Sequence, residues 1–150
     1  MKYNTTRFGE VEGDENLLFN FEMPILGYNE ETQFLLLETK KDSLFKWIQS
    51  TKTPELAFPV TSPAFFNIDY SFELPEEAEN TLNVKNAEEL IVLTIAKIPN
   101  NNPRLTTVNL LAPIIFNVTN HKAGQVILSG TGFNVAHPLF NDSPAVEGGE

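Results

Sequence analysis

Cysteine is absent from this 150-residue chain, which excludes disulfide bonds, thiolate nucleophiles and cysteine-ligated zinc. Long apolar runs are absent too: no stretch reaches the roughly 18 apolar residues that a membrane span requires. The first residues, Met1 to Arg7, lack the apolar segment of a secretory signal. We therefore expect a protein of the reducing cytoplasm without a membrane segment.

Basic residues are few and unevenly placed. The chain has 10 Lys and Arg against 20 Asp and Glu, a formal net charge of −10. Residues 8–38 contain eight carboxylates and no Lys or Arg, residues 69–96 contain seven carboxylates and only Lys85, and residues 90–141 contain no acid. Direct nucleic-acid binding needs a basic surface and is not expected. An acidic surface fits a basic partner, or only keeps the protein soluble.

Short β-like segments separated by turn residues dominate the pattern. With 41% hydrophobic residues, the chain can close one core, and we expect a single domain over residues 1–140 and a flexible tail over 141–150. Strands spaced by roughly 10–15 residues are typical of an antiparallel barrel or sandwich. The predicted strands span residues 8–12, 17–21, 33–38, 44–49, 56–61, 67–73, 89–98, 105–117 and 125–128.

Prolines and turn residues mark where these strands should be interrupted. Residues 109–117 are so apolar that they must be mostly buried, and Pro113 cannot donate a ladder hydrogen bond, so it marks a bulge or an edge. Pro59 and Pro63 indicate a sheet edge. Residues 13–16 predict a hairpin turn between the first two predicted strands.

Two short helical segments are predicted as connections between strands. Residues 75–82 begin with Pro75 and a run of acids, which favour a helix N-terminus. In residues 86–90, Asn86 is a helix N-cap and Glu89 stands at the capping-box position.

No catalytic constellation is apparent in the sequence. His121 is expected in a solvated turn, and His137, before Pro138, in an extended segment that packs on the barrel or contacts a partner. The adjacent carboxylates at 30–31, 76–77 and 88–89 are predicted on solvated turns and helix starts, which does not favour the opposed acids of a hydrolase. We predict that the protein is not an enzyme and uses no cofactor or metal.

Several fragments, read in order, resemble the flagellar assembly factor FliW family across nearly the whole chain. Each fragment is weak alone, but their order and spacing together are specific. The resemblance implies a mainly β fold: a small antiparallel β-barrel with one or two short helices. The fragments are Thr6 to Val11, Phe21 to Tyr28, Trp47 to Ser50, Pro54 to Pro63, Asn109 to Asn117, Gln125-Val126 and His137 to Leu139.

The resemblance also implies a role in binding proteins rather than in catalysis. Members of the family bind flagellin and, in alternation, CsrA, a basic RNA-binding repressor of flagellin translation. As flagellin is exported, the freed factor binds CsrA and lifts repression, which couples synthesis to export. The acid-rich composition is compatible with a basic partner, and we expect a monomer.

Candidate contact residues come from the loops and aromatic segments of these fragments. Asn109 and Asn117 have a second interpretation, in which they satisfy backbone groups around the Pro113 bulge. An alternative function is a small-ligand or carbohydrate-binding barrel that uses Trp47 or Phe66 as a stacking platform. The candidates are Pro24, Ile25, Leu26, Gly27, Tyr28, Trp47, Pro63, Phe65, Phe66, Asn109, Leu110, Pro113, Asn117 and His137.

Overall fold

The computed structural model describes residues 1–38 and 43–140; the predicted tail, 141–150, lies outside the described residues. Within them, no helix is long and apolar enough to cross a bilayer. The strands are β1 Lys2–Thr5, β2 Gly9–Glu12, β3 Leu18–Met23, β4 Gln33–Leu37, β5 Phe45–Ser50, β6 Ala57–Thr61, β7 Leu90–Lys97, β8 Thr107–Val108, β9 Ile114–Asn117, β10 Lys122–Gln125 and β11 His137–Pro138. The helix α1 spans Glu76–Thr81, and 3-10 helices span Glu15–Leu17, Pro63–Phe66, Ala87–Glu89 and Pro103–Leu105.

Seven of these strands close into a barrel. Around it the order is β3, β4, β5, β6, β7, β9 and β10, and β10 returns to β3. Among the described strands, only the β10–β3 pair is parallel. β8 pairs with the end of β7 and carries β11, while β1 and β2 form a separate hairpin. The predicted small β-barrel with short helices is confirmed.

Phenylalanine side chains fill the barrel interior. Phe19, Phe21, Phe34 and Phe116 are all buried and belong to one cluster that also contains Ile48. Alternate residues of a strand point to opposite faces, so on β9 the residues on either side of Phe116 face outward. A filled interior leaves no room for a ligand, which does not favour the ligand-binding alternative.

Four parts of the chain cover the outer wall of the barrel. Helix α1 packs Ala78 and Leu82 onto β9. The stretch after β6 and the segment around β11 bury a further cluster over β7 and β8. The N-terminal hairpin covers β5: the Phe8 ring meets Trp47 edge-on at 5.6 Å, and the Arg7 guanidinium carbon lies 4.4 Å from the Trp47 ring centre.

Two pairing predictions are wrong. β2 pairs with β1 and not with β3, because Glu15–Leu17 forms a 3-10 helix with Asp14 as its N-cap. β6 lies between β5 and β7 and is therefore not an edge. It tolerates Pro59 because its pairing with β7 begins only at Val60, and Pro63 begins a 3-10 helix instead of bordering a sheet.

Three strand limits also need correction. Residues 67–73 form no strand; residues 105–117 divide into β8 and β9; and the strand predicted at 125–128 lies earlier, as β10. The two helical connections are confirmed, including the capping box of Asn86 and Glu89.

Candidate functional site

The candidate site begins at the interruption between β8 and β9. Both strands run antiparallel to β7, and the Asn109 N–H still donates to the Ile95 carbonyl at 3.0 Å. Residues 110–113 then leave the ladder, and pairing resumes at Ile114. Pro113 is the last residue of this interruption. Because proline has no backbone N–H, it cannot donate a ladder hydrogen bond at this position. The sequence predicts a bulge or an edge at Pro113, and the structure shows an interruption of pairing there; we refer to residues 110–113 as the bulge.

Every carbonyl of the bulge accepts a hydrogen bond from another part of the chain. Because its backbone acceptors are paired, the bulge has a fixed conformation. Burial raises the pKa of the Tyr70 hydroxyl, so that hydroxyl stays protonated and able to donate. The pairs are Tyr70 Oη to Leu110 O (2.6 Å), Leu128 N to Leu111 O (2.8 Å), Gln125 Nε2 to Ala112 O (3.2 Å) and Val126 N to Pro113 O (3.0 Å).

The two candidate asparagines hydrogen-bond the protein's own backbone. Asn109 Oδ1 accepts the N–H of Ala112 at 3.0 Å, which closes the bulge. Asn117 is fully buried; its Nδ2 donates to the Leu82 carbonyl at 3.1 Å and its Oδ1 accepts the N–H of Thr119 at 3.0 Å. These contacts favour the structural interpretation of both residues.

The loop between β3 and β4 presents large apolar side chains to solvent, Leu26 above all. Ile25 is 3% exposed and packs in the barrel core, whereas Leu26 is 75% exposed. Gly27 has a φ of 90°, a left-handed conformation that suits glycine. The Tyr28 N–H closes the turn onto the Ile25 carbonyl at 2.8 Å, and the Tyr28 ring meets Phe58 edge-on at 5.2 Å. The buried Ile25 and the closed turn that follows thus fix the position of Leu26.

Gln125 connects this loop to the bulge. Its Oε1 accepts the Leu26 N–H at 2.7 Å, and its Nε2 reaches Ala112 in the bulge. Ile127, two residues beyond, is 51% exposed. We call residues 24–28, 110–113 and 125–127 the loop–bulge surface. Its exposed large apolar side chains are Leu26, Tyr28 and Ile127, whereas the candidates Leu110 and Pro113 are buried beneath it. The sequence pointed to the first two segments as contact candidates. Gln125 appeared there only in a predicted strand and in a fragment of the family resemblance, and Ile127 only in the strand.

The remaining candidates lie elsewhere on the molecule. Trp47 lies beneath the N-terminal hairpin. His137, on β11, pairs with Val108 of β8. Pro63 is buried and begins the 3-10 helix that also contains Phe65 and Phe66. Phe66 packs between Phe45 and Phe140, with ring centres 5.9 and 5.6 Å away, and Phe65 is 56% exposed.

His121 differs from the solvated residue that the sequence predicts. It is half-buried with a left-handed φ of 63°, its ring stacks on Phe19 at 5.5 Å, and its Nδ1 lies 3.1 Å from the Leu18 carbonyl oxygen. The residue fixes the turn between β9 and β10 against the start of β3.

The adjacent carboxylates are not arranged as a catalytic pair. Glu31 accepts hydrogen bonds from the hydroxyls of Ser50 and Thr53 and ties two loops together. The pKa of Glu89 is lowered by hydrogen bonds from the backbone N–H groups of Lys85 and Asn86, whereas a general acid needs a raised pKa. Across residues 1–38 and 43–140, no group of three or more His, Cys, Asp or Glu could hold a metal ion.

Known proteins similar to this chain share its fold and length. The family model described as FliW protein matches residues 2–139. Over 143 residues, the chain is 36% identical to the flagellar assembly factor FliW of Caldanaerobacter subterraneus subsp. tengcongensis and 33% identical to that of Thermoanaerobacter pseudethanolicus, with 95% of each chain covered. A crystal structure of the flagellar assembly factor FliW matches with a TM-score of 0.87 at 31% identity, covering 95% of this chain and 99% of the other. The chain therefore belongs to the FliW family of flagellar assembly factors.

Proposed function

We propose that this protein binds flagellin and the basic RNA-binding regulator CsrA, antagonises repression of flagellin translation by CsrA, and so couples flagellin synthesis to export. It does so as a cytoplasmic monomer and without catalysis. Membership of a family of flagellar assembly factors supports a function in which the protein binds other polypeptides. The observation that carries the proposal is the presence of two exposed surfaces of unlike chemistry on one closed barrel.

The first surface is anionic and follows the connection between β6 and β7. Carboxylates there attract a basic protein, accelerate its encounter and repel RNA phosphates near the complex. Lys85 is the only base in this stretch. The exposed carboxylates are Asp69, Glu73, Glu76, Glu77, Glu79 and Glu88. We assign CsrA to this surface.

The second is the loop–bulge surface, where Leu26, Tyr28 and Ile127 are exposed large apolar side chains. Apolar and aromatic side chains on a fixed backbone supply most of the affinity of protein interfaces, whereas rim charges contribute little. A partner that needs no basic character fits this surface. We assign flagellin to it.

The test measures binding of each purified partner to the full chain. We expect both to bind, and the association rate of CsrA to fall as ionic strength rises because screening weakens the attraction between charges. Flagellin binding should depend on salt much less. If the chain fails to bind flagellin, or fails to bind CsrA, the proposed function is contradicted. A CsrA association rate that is independent of salt would contradict the role of the carboxylates.

A further inference from the structure

A preformed groove lies between α1 and the outer wall of the barrel. Its volume is about 350 Å³. Ile115, which is fully buried, belongs to its floor, and helix α1 and the turn that follows form one side. The apolar lining residues are Phe72, Leu74, Val84, Leu90 and Ile115.

The groove wall is fixed by backbone hydrogen bonds. Asn83 ends the helix in a left-handed conformation with a φ of 52°, and the Val84 N–H donates to the Glu79 carbonyl at 2.9 Å. The Glu89 carboxylate then accepts the N–H groups of Lys85 and Asn86 at 2.9 and 3.3 Å. A wall held in this way does not have to order itself when a ligand enters, which favours binding.

Carboxylates outnumber basic residues at the groove and beside it. Glu79 lines it, and Glu76, one helical turn earlier on α1, lies on the same helix face. Glu88 follows Ala87, another lining residue, and is exposed. Lys85 is the single cation of the lining. An apolar floor with more carboxylates than basic residues at and beside it is complementary to an apolar side chain that basic residues flank.

We propose that this groove receives one large apolar side chain, such as leucine, from a basic polypeptide segment. The lysines or arginines beside that side chain pair with Glu76, Glu79 and Glu88. This inference rests on the proposed function only in naming CsrA as the protein that supplies the segment.

The first experiment titrates the full chain with a short lysine-rich peptide that has one central leucine, and with the same peptide in which alanine replaces the leucine. Binding is followed through the methyl NMR signals of Val84, Leu90 and Ile115. We expect the leucine peptide to shift these signals and to bind about tenfold tighter, since burying a leucine side chain favours association. Equal affinities, or unchanged methyl signals, would overturn the proposal.

The second experiment blocks the groove in the same protein. Ala87→Trp places an indole at its opening, and Asn80→Trp places one on the exposed face of α1, outside the lining. At equal unfolding midpoints in urea, we expect Ala87→Trp to abolish the methyl shifts and to weaken CsrA binding about tenfold. Asn80→Trp should do neither. Equal CsrA affinities for the two variants would refute the groove as the docking site.

The two experiments separate this inference from the proposed function. If the unmodified chain fails to bind CsrA, the proposed function is wrong, and the peptide titration still decides whether the groove takes an apolar side chain.

Discussion

The side-chain oxygen of Gln125 accepts a hydrogen bond from the backbone N–H of Leu26, which lies 99 positions earlier in the chain, at 2.7 Å. The same side chain donates to the Ala112 carbonyl at 3.2 Å. One amide therefore holds the loop between β3 and β4 against the bulge before β9. Because Leu26 is 75% exposed, this pair of hydrogen bonds sets how an apolar contact is presented to solvent.

Replacing Gln125 should loosen the loop more than it destabilises the barrel. Gln125→Ala removes two hydrogen bonds, each worth about 0.5–1.5 kcal/mol, so we expect a loss of about 1–3 kcal/mol in urea unfolding. The Leu26 amide should also exchange hydrogen faster. Gln125→Glu is the matched control, because it keeps an acceptor for Leu26 while it replaces the donor to Ala112 with an oxygen that repels the Ala112 carbonyl. If the Leu26 amide exchanges equally fast in both variants, the hydrogen bond to Gln125 does not hold the loop.

Leu26 and Ile25 should respond to substitution in opposite ways. Leu26→Asp changes an exposed side chain, so stability should stay within about 0.5 kcal/mol, while flagellin binding falls at least tenfold and CsrA binding is unchanged. Ile25→Ala empties a core position and should cost about 2–5 kcal/mol. Unfolding midpoints and titration with each partner measure both effects. Unchanged flagellin affinity in Leu26→Asp would remove the loop–bulge surface from the proposed function.

The burial of an apolar run and helix capping could be read from the sequence because they depend on neighbouring residues. The strand at 114–117 is buried along its whole length, as its apolar run indicates, and the Asn86–Glu89 capping box forms where it was predicted. Pairing partners could not be read, because they depend on which distant strand lies alongside. Residues 13–16 resemble a hairpin turn, yet β2 pairs with β1 and the chain crosses to the barrel through a 3-10 helix.

The candidate site was predicted only in part, because the contacts that assemble it also join residues that are distant in the sequence. Its loop and its bulge each have local signals, a glycine turn at Gly27 and a proline at Pro113. The Gln125 side chain that joins them has none, because a glutamine within a strand usually signals only a polar face. The exposed fraction of Ile127 also depends on what packs beside it.

Asn117 should prove to be a stability residue. Asn117→Ala leaves the N–H groups of Thr119 and Asn120 without this acceptor and removes one of two donors to the Leu82 carbonyl. We expect a loss of about 1–3 kcal/mol in the free energy of unfolding. Asn29→Ala, in an exposed turn, is the control and should change stability by less than about 0.5 kcal/mol. A fully stable Asn117→Ala variant that fails to bind flagellin or CsrA would restore the contact interpretation.

Acid should weaken the wall of the groove through Glu89. Its pKa is lowered from the ordinary value of 4.5, chiefly because the N–H groups of Lys85 and Asn86 donate to the ionised carboxylate. A carboxyl group with a lowered folded-state pKa stabilises the fold above its unfolded-state pKa, and this contribution is lost as pH falls through the folded-state pKa. Glu89→Gln keeps an acceptor oxygen but cannot ionise. The urea midpoint of the unmodified chain should therefore exceed that of Glu89→Gln at neutral pH, and the difference should shrink as pH falls below 4.5.

Glu88→Gln is the control for this titration, since Glu88 is exposed on the same 3-10 helix. The other carboxylates are the same in all three proteins, so their contributions cancel in the differences. If the difference between the unmodified chain and Glu89→Gln stays constant from neutral to acidic pH, the charge of Glu89 does not stabilise the turn, and its role is only that of a neutral acceptor.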